Sequence, residues 1–155
     1  MKTPATAFLD GLGVRYEAHR FDYVEGGGTR HSSQTLGVDE HHVVKTLVFE
    51  DEGKQPVLVL MHGDRRVSTK ALARQLGRKT VAACAPEVAQ RHTGYQVGGT
   101  SPFGTKKPLV VACERSITTL DRLFINGGGR GFLVSMTPDE LVRALSPTLV
   151  DCAAE

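Results

Sequence analysis

The chain has 155 residues, of which 40% are hydrophobic and 23% are charged, and its formal net charge is +2. This length suits one domain, residues 1–155, with a hydrophobic core, and the nearly neutral charge does not by itself indicate a nucleic-acid partner. The sequence starts without a signal-peptide pattern and has no bilayer-length apolar run, so we expect a cytoplasmic protein without membrane contact.

Short strands and interspersed helices are predicted along the chain. We predict a first helix from Pro4 to Gly11 or Gly13, packed through Phe8 and Leu12, and then a strand over 15–21. A mobile loop is expected over 25–30. A helical turn from Ser32 or Ser33 to Leu36 and a second turn from Asp39 to His42 are expected next. Strands over 45–49 and 56–61 form a hairpin, followed by a helix from Ser68 to Leu76, a strand over 80–84 and a helix from Ala85 to Thr93 or Gly94. Strands over 109–113, 123–126 and 132–135 precede a last helix at Thr137.

Two elements have the clearest signals. The strand over 56–61 is apolar on both faces, so we expect it to be central in the sheet. The last helix has Thr137 as N-cap, a proline at its first position and Glu140 as a capping-box residue, with Leu141 and Leu145 facing inward. Hairpins among interspersed helices predict an α+β fold, which is a single domain with a curved mixed β-sheet or partial barrel and surrounding helices.

The segment Gly94–Pro108 combines glycines and prolines with hydroxyls and two lysines. Glycine lets backbone amides approach a ligand or adopt positive φ, and proline limits the conformations that binding must order. Loop statistics alone leave a binding loop and a turn-rich connection evenly matched. The second glycine-rich segment, residues 126–131, predicts a tight hairpin, which is sufficient to explain its glycines.

Lys45 begins an apolar strand and is a candidate for chemistry. As a cation it can bind a carboxylate, phosphate or oxyanion, and as a neutral amine it can accept a proton. The alternative is a lysine that protects the edge of a strand, which is the commoner role. Thr46 is expected to point to the opposite face of a regular strand.

The cysteines and histidines show no recognised ligand spacing. Cys84, Cys113 and Cys152 are far apart in sequence and predict reduced thiols rather than disulfides or a zinc site. The six histidines, including the adjacent pair His41–His42, do not match a metal-binding pattern. We therefore expect no metal and no cofactor.

Basic residues are concentrated in the middle of the chain. They are Arg65, Arg66, Lys70, Arg74, Arg78 and Lys79. Lys70 and Arg74 are four residues apart on a predicted helix and share one face. A solvated helix face is the commoner interpretation, and contact with a phosphate backbone is the alternative.

Four stretches, Thr3–Ala5, Val44–Leu47, Val88–Gly104 and Asn126–Gly131, together resemble the YbaK family of free-standing aminoacyl-tRNA deacylases. This family is related to the editing domain of some bacterial prolyl-tRNA synthetases, and the long third stretch resembles its Cys-tRNA(Pro) deacylase branch most closely. The resemblance implies a trans-editing enzyme that removes the amino acid from mischarged tRNA, especially Cys-tRNA(Pro). It also implies that the substrate's own thiol attacks the ester.

The same resemblance implies roles for individual residues. Lys45 is expected to be the central active-site residue, and the loop Gly98–Pro102 is expected to line the aminoacyl pocket. The expected substrate-binding residues are Phe21, Thr46, Gly98, Gly99, Thr100, Ser101, Pro102 and Asn126. Contacts to the tRNA backbone are expected from Arg66, Lys70, Arg74, Lys106 and Lys107. The implied partners are mischarged tRNA(Pro) and a prolyl-tRNA synthetase that supplies tRNA specificity.

Three positions differ from the family's best-known pattern. Phe21, Asn126 and Leu133 stand where tyrosine, serine and aspartate are typical, and Phe21 and Leu133 cannot replace a hydroxyl or carboxylate. Alanine, serine and proline esters therefore remain alternatives to cysteine as the substrate. Two other functions also remain open, namely a non-catalytic module that binds tRNA or a synthetase, and a hydrolase of small aminoacyl esters.

Overall fold

A computed structural model describes residues 1–154, which form helices and strands in mixed order. The helices are α1 (Pro4–Gly11), α2 (Gly28–Leu36), α3 (Thr69–Leu76), α4 (Pro86–Thr93) and α5 (Pro138–Leu145). The strands are β1 (Glu17–Arg20), β2 (Val43–Asp51), β3 (Pro56–His62), β4 (Arg66–Val67), β5 (Val81–Ala83), β6 (Val110–Glu114), β7 (Leu123–Gly129), β8 (Phe132–Met136), β9 (Thr148–Val150) and β10 (Ala153–Ala154). Within residues 1–154, no helix is long and apolar enough to cross a membrane.

Eight strands form one mixed sheet in the order β1-β8-β7-β2-β3-β6-β9, with β5 paired to β2 outside this path. The β2–β3 hairpin is antiparallel, whereas β2 pairs with β7 and β3 pairs with β6 in parallel. The mixed sheet and its helices confirm the predicted α+β class. The expectation that residues 56–61 are central is also confirmed, because β3 lies between β2 and β6 and its side chains from Val57 onward are buried.

Apolar side chains pack on both faces of this sheet. Leu58 and Leu60 of β3 join a cluster that includes Leu9 of α1 and Leu141 of α5. The alternate residues of β3 join a second cluster that includes Leu72 of α3. Because side chains alternate along a strand, β3 stabilises both layers at once. The hairpin of β2 and β3 is thereby held rigidly at the centre of the fold.

Two predictions for the N-terminal region are wrong. Helix α1 packs through Ala5 and Leu9, which are fully buried, whereas Phe8 and Leu12 are 36% and 45% exposed. The hydrogen bond from the Thr3 hydroxyl to the carbonyl oxygen of Gly127, 2.5 Å long, fixes the start of α1 against β7 and so selects the buried face.

The second error concerns residues 25–36. Helix α2 takes residues 28–30, half of the expected loop, and begins at Gly28, before the cap expected at Ser32 or Ser33, while its end at Leu36 is as predicted. Its N-cap, Gly27, provides no side-chain hydrogen bond, so the sequence carries no capping signal at this point. Thr29 instead fixes the helix through a 2.7 Å hydrogen bond from its hydroxyl to the carboxylate of Glu40.

Most other helix ends follow their local signals. Ser68 and Thr137 accept N-cap hydrogen bonds, and Gly37, Gly77 and Gly94 adopt left-handed conformations at C-caps. The predicted capping box of α5 is wrong. The carboxylate of Glu140 does not bond back to the N-cap, because it accepts hydrogen bonds from the backbone N–H of Arg15 and from the side chain of Arg143. Strands β4, β9 and β10 have no counterpart among the predicted elements, since two or three residues carry no periodic pattern.

Candidate active site

The candidate site begins at an interrupted edge of β2. Strand β3 occupies one edge of β2, while β7 pairs with Val43 and Val44 on the other edge and β5 pairs with residues 49–51. The carbonyl oxygen of Val43 accepts a hydrogen bond from Gly63 on the β3 side. Because backbone groups alternate between edges in an antiparallel pair, Thr46 directs its N–H and C=O toward the gap between β7 and β5. These groups can bind an extended ligand.

A cavity of about 450 Å³ lies over this gap. Residues 43–49 of β2 form one wall, and the segment from Phe21 into α2, the region around Cys84 and the loop at Val97–Thr100 form the others. Its lining is mainly apolar with a few polar groups, as is usual in pockets for small ligands. The cavity volume fits an aminoacyl group, whereas a folded nucleic acid must remain outside it.

Lys45 lies half-buried in the wall of this cavity. Its Nζ donates a 3.4 Å hydrogen bond to the carbonyl oxygen of Gly63. Burial lowers the pKa of Lys45, while the carboxylates of Glu40 and Asp64 oppose that change and the charge of Arg66 adds to it. A partly desolvated ammonium group is attracted to a developing negative charge more strongly than an exposed one.

The loop carrying Gly98 forms another part of the cavity wall. Gly98 has a φ of +86°, and a Cβ at this position would lie 2.6 Å from the hydroxyl oxygen of Tyr23. The guanidinium group of Arg130 lies 5.0 Å from the centre of the Tyr23 ring, and its Nε donates a 2.8 Å hydrogen bond to the carbonyl oxygen of Val97. Tyr23 and Arg130, which come from two separate segments, therefore confine this loop.

Asn126 connects the loop to the glycine-rich hairpin. Its Nδ2 donates to the carbonyl oxygens of Gly98 and Gly129, each at 3.1 Å. Its Oδ1 accepts hydrogen bonds from the backbone N–H groups of Gly128 and Gly129. The amide thus uses its two donors and two acceptor positions within the protein. Asn126 lines the cavity, but its hydrogen bonds position Gly98 and leave no polar capacity for a substrate.

Replacement of Asn126 by aspartate is expected to destabilise the fold by about 1–3 kcal/mol, because a carboxylate oxygen would face two carbonyl oxygens. Urea unfolding followed by circular dichroism measures this change. The matched control is Gln34→Glu, which makes the same chemical change at an exposed position of α2 and is expected to alter stability by less than about 0.5 kcal/mol. Equal destabilisation of the two variants would contradict the positioning role of Asn126.

The other expected substrate-binding residues divide into two groups. Phe21, Thr46, Gly98 and Thr100 line the cavity with Lys45. Lys45 and Thr46 both do so despite strand alternation, because the cavity lies over the edge of β2.

By contrast, Gly99, Ser101 and Pro102 are buried and do not line the cavity. The hydroxyl of Ser101 accepts a hydrogen bond from the N–H of Phe103, and Gly99 lies against the backbone of Gly129 and Arg130. These three residues shape the loop from behind and make no contact with the cavity.

The basic residues expected to contact tRNA lie outside the cavity. Arg66, Lys70, Arg74, Lys106 and Lys107 are all exposed. Arg66 is near enough to Lys45 for its charge to lower the pKa of that lysine. Arg78, which belongs to the same basic run, forms an ion pair with Asp51 and is a structural residue.

Two parts of the site were not recognised in the sequence. Tyr23 and His31 contribute to the cavity wall. Glu50, Cys84 and His92 also meet beside it, with one potential ligand atom of each within 4.8 Å of the others. Cys84 is a free thiol whose pKa is raised by burial and by the charge of Glu50. No local spacing signals these contacts, because the residues come from different elements.

Known proteins resemble this chain in sequence and fold. The sequence model of the aminoacyl-tRNA editing domain family matches residues 28–144. The chain is 26% identical over 142 residues to EbsC of Enterococcus faecalis, a candidate Cys-tRNA(Pro)/Cys-tRNA(Cys) deacylase, covering 91% of this chain and 87% of EbsC. It is 30% identical over 110 residues to the uncharacterised protein YwhH of Bacillus subtilis, covering 71% and 69% of the two chains. It also matches the proline–tRNA ligase of Maridesulfovibrio salexigens, with 32% identity over 62% of this chain and 16% of the ligase.

Solved structures show the same fold. The crystal structure of a candidate trans-editing enzyme for prolyl-tRNA synthetase superposes with a TM-score of 0.85 at 22% identity, covering 100% of this chain and 99% of that chain. The crystal structure of a protein described as hypothetical superposes with a TM-score of 0.90 at 22% identity, covering 98% and 100% of the two chains. The resemblance noted in the sequence is confirmed, and the chain belongs to the aminoacyl-tRNA editing domain family.

Proposed function

We propose that this protein is a trans-editing deacylase that removes the amino acid from mischarged tRNA, with Cys-tRNA(Pro) as its main substrate. The observation that carries the proposal is the position of Lys45 and Gly98 in the wall of one cavity of aminoacyl size. Membership of the editing family and the likeness to EbsC support the same activity. Phe21 and Leu133 make part of the wall apolar, which suits a small side chain without a charge.

In the proposed reaction, the edge of β2 and the Gly98 loop orient the aminoacyl ester, and Lys45 stabilises the negative charge that develops on its carbonyl oxygen. The thiol of the substrate cysteine forms a bond to the ester carbon. The bond from this carbon to the ribose oxygen then breaks, and the ribose oxygen takes the thiol proton. Water opens the resulting thiolactone and releases cysteine. This route needs no nucleophile from the protein.

The tRNA is proposed to lie outside the cavity, with its phosphates against the exposed basic residues. Arg66, Lys70, Arg74, Lys106 and Lys107 provide charge without reading bases. Such contacts do not distinguish one tRNA from another. We therefore propose that a prolyl-tRNA synthetase supplies the specificity for tRNA(Pro). The likeness to part of a proline–tRNA ligase supports this pairing.

Methylation of the substrate thiol tests the mechanism. The protein is expected to release S-methylcysteine from tRNA(Pro) at least about 100-fold more slowly than cysteine, because an adjacent nucleophile is far more effective than water. Single-turnover release of the labelled amino acid measures both rates, with reactions without protein as the baseline. Competition against Cys-tRNA(Pro) shows whether the methylated ester still binds. Equal release rates would indicate attack by water.

A further inference from the structure

Glu50, Cys84 and His92 form a cluster beside the cavity that the proposed deacylation does not use. Glu50 lies on β2, Cys84 directly follows β5, and His92 lies on α4. One potential ligand atom of each lies within 4.8 Å of the others. Glu50 and Cys84 are partly exposed, and Cys84 lines the cavity, so an ion from solvent can reach the cluster.

His92 is the most unusual member of this cluster. Its side chain is only 9% exposed, and its Nε2 lies 2.8 Å from a carboxylate oxygen of Glu50. Its Nδ1 is buried and has no hydrogen-bond partner among residues 1–154. Among hydrogen bonds in the described part of the chain, only the contact with Glu50 holds the imidazole ring. Because the two ring nitrogens point in different directions, Nε2 is the nitrogen of His92 that can join Glu50 in binding one ion.

A catalytic role for the same residues does not fit the geometry. In a catalytic triad of cysteine, histidine and a carboxylate, one nitrogen of the histidine forms a hydrogen bond with the thiol. The other nitrogen forms a hydrogen bond with the carboxylate. Within residues 1–154, no hydrogen bond joins the thiol of Cys84 to His92, and the one engaged nitrogen binds Glu50. The three side chains instead converge as separate donors of one sulfur, one nitrogen and one oxygen atom.

We propose that Glu50, Cys84 and His92 bind a divalent transition-metal ion, with Zn²⁺ as the best match. Thiolate, imidazole and carboxylate are its common ligands, and three protein ligands leave one coordination position open. Ligand bonds of about 2.0–2.3 Å place tetrahedral donor atoms roughly 3.3–3.8 Å apart. The present atoms lie within 4.8 Å of one another, and Nε2 of His92 lies 2.8 Å from Glu50, so ion binding requires the side chains to adjust. The thiolate and carboxylate also balance the charge of the ion in a partly buried position.

This metal site is separate from Lys45. Glu50 and Lys45 are five residues apart on β2, which corresponds to about 16 Å along an extended strand. The site therefore does not depend on the proposed deacylation, and metal binding can be present or absent whatever the protein hydrolyses. Of its three residues only Cys84 also lines the cavity, so the two sites adjoin at Cys84.

Zinc titration of the full chain tests this proposal. After chelator treatment and dialysis, competition with a chromophoric chelator is expected to show one Zn²⁺ bound per chain. Cys84→Ala and Glu50→Gln are each expected to weaken binding by at least about 100-fold. The matched control is Cys152→Ala, which removes a thiol outside the cluster and is expected to keep wild-type affinity.

Cobalt substitution and thermal unfolding provide independent measurements. The Co²⁺ form of the wild type and of Cys152→Ala is expected to show a thiolate-to-cobalt absorption band that Cys84→Ala lacks. Zn²⁺ is expected to raise the unfolding temperature of the wild type but not of Cys84→Ala. The proposal is overturned if the wild type binds no stoichiometric Zn²⁺, or if folded Cys84→Ala binds it with unchanged affinity. In either case the contact of Glu50 with His92 is only a hydrogen bond that joins α4 to β2.

Discussion

Replacement of Lys45 by alanine is expected to lower kcat/KM for release of cysteine from Cys-tRNA(Pro) by about 10²–10³-fold. The reason is the loss of a partly desolvated cation from the wall of the cavity that is proposed to hold the ester. The removal of one well-placed donor to a developing oxyanion has effects of this size in other enzymes. Single-turnover assays with saturating protein separate this effect from changes in tRNA binding.

Two further variants show whether the loss comes from the charge of Lys45. Lys45→Met keeps most of the length of the side chain and is expected to lose as much activity as Lys45→Ala. Burial lowers the pKa of Lys45, so the folded state binds this proton less well than the unfolded state does. Below the lowered pKa this difference opposes folding, and Lys45→Met is therefore expected to unfold at the wild-type temperature or above it. Lys54→Ala, at the exposed turn of the same hairpin, is expected to keep wild-type activity.

Replacement of Gly98 by alanine is expected to lower the same kcat/KM by about 100-fold. A methyl group there would lie 2.6 Å from the hydroxyl oxygen of Tyr23, and the φ of +86° is rare for residues with a side chain. Tyr23 is held under Arg130, so we expect the loop to move instead. A displacement of about 1 Å in a group that orients the substrate can reduce a rate 100-fold.

Gly53→Ala is the matched control for Gly98→Ala. Gly53 lies in the exposed turn between β2 and β3, its φ is not in the left-handed region, and the nearest atom to an added Cβ is 3.5 Å away. This control is expected to keep its activity and its unfolding midpoint. If folded Gly98→Ala were as active as Gly53→Ala, the Gly98 loop could not be part of the aminoacyl pocket.

The sequence predicts those parts of the fold that depend on local contacts. Ser68 and Gly77 mark the ends of α3 correctly, because a cap is formed by residues within one turn of the helix. The hairpin of β2 and β3 is predicted for the same reason, since its turn and apolar strands are adjacent in sequence. The start of helix α2 is missed because its first residue is glycine and its anchor, the carboxylate of Glu40, lies outside it.

The candidate site is predicted only in part, because its details depend on distant residues. Lys45 and Gly98 are expected from the family resemblance, and both line the cavity. The part played by Asn126 could not be predicted, since its partner Gly98 is 28 residues away. The sequence also does not indicate that Glu50, Cys84 and His92 lie close together, because metal-binding sequence patterns have short spacings between ligands.

Release of the amino acid from tRNA(Pro) charged with cysteine, alanine, serine or proline is the most direct measurement of the proposed function. The wild-type protein is expected to release cysteine fastest and to leave Pro-tRNA(Pro) intact. If alanine or serine were released faster than cysteine, the protein would still be an editing deacylase, but its main substrate would be Ala-tRNA(Pro) or Ser-tRNA(Pro). Retention of the charged tRNA without release of any of the four amino acids would contradict the account, because it would identify a binding module without deacylase activity.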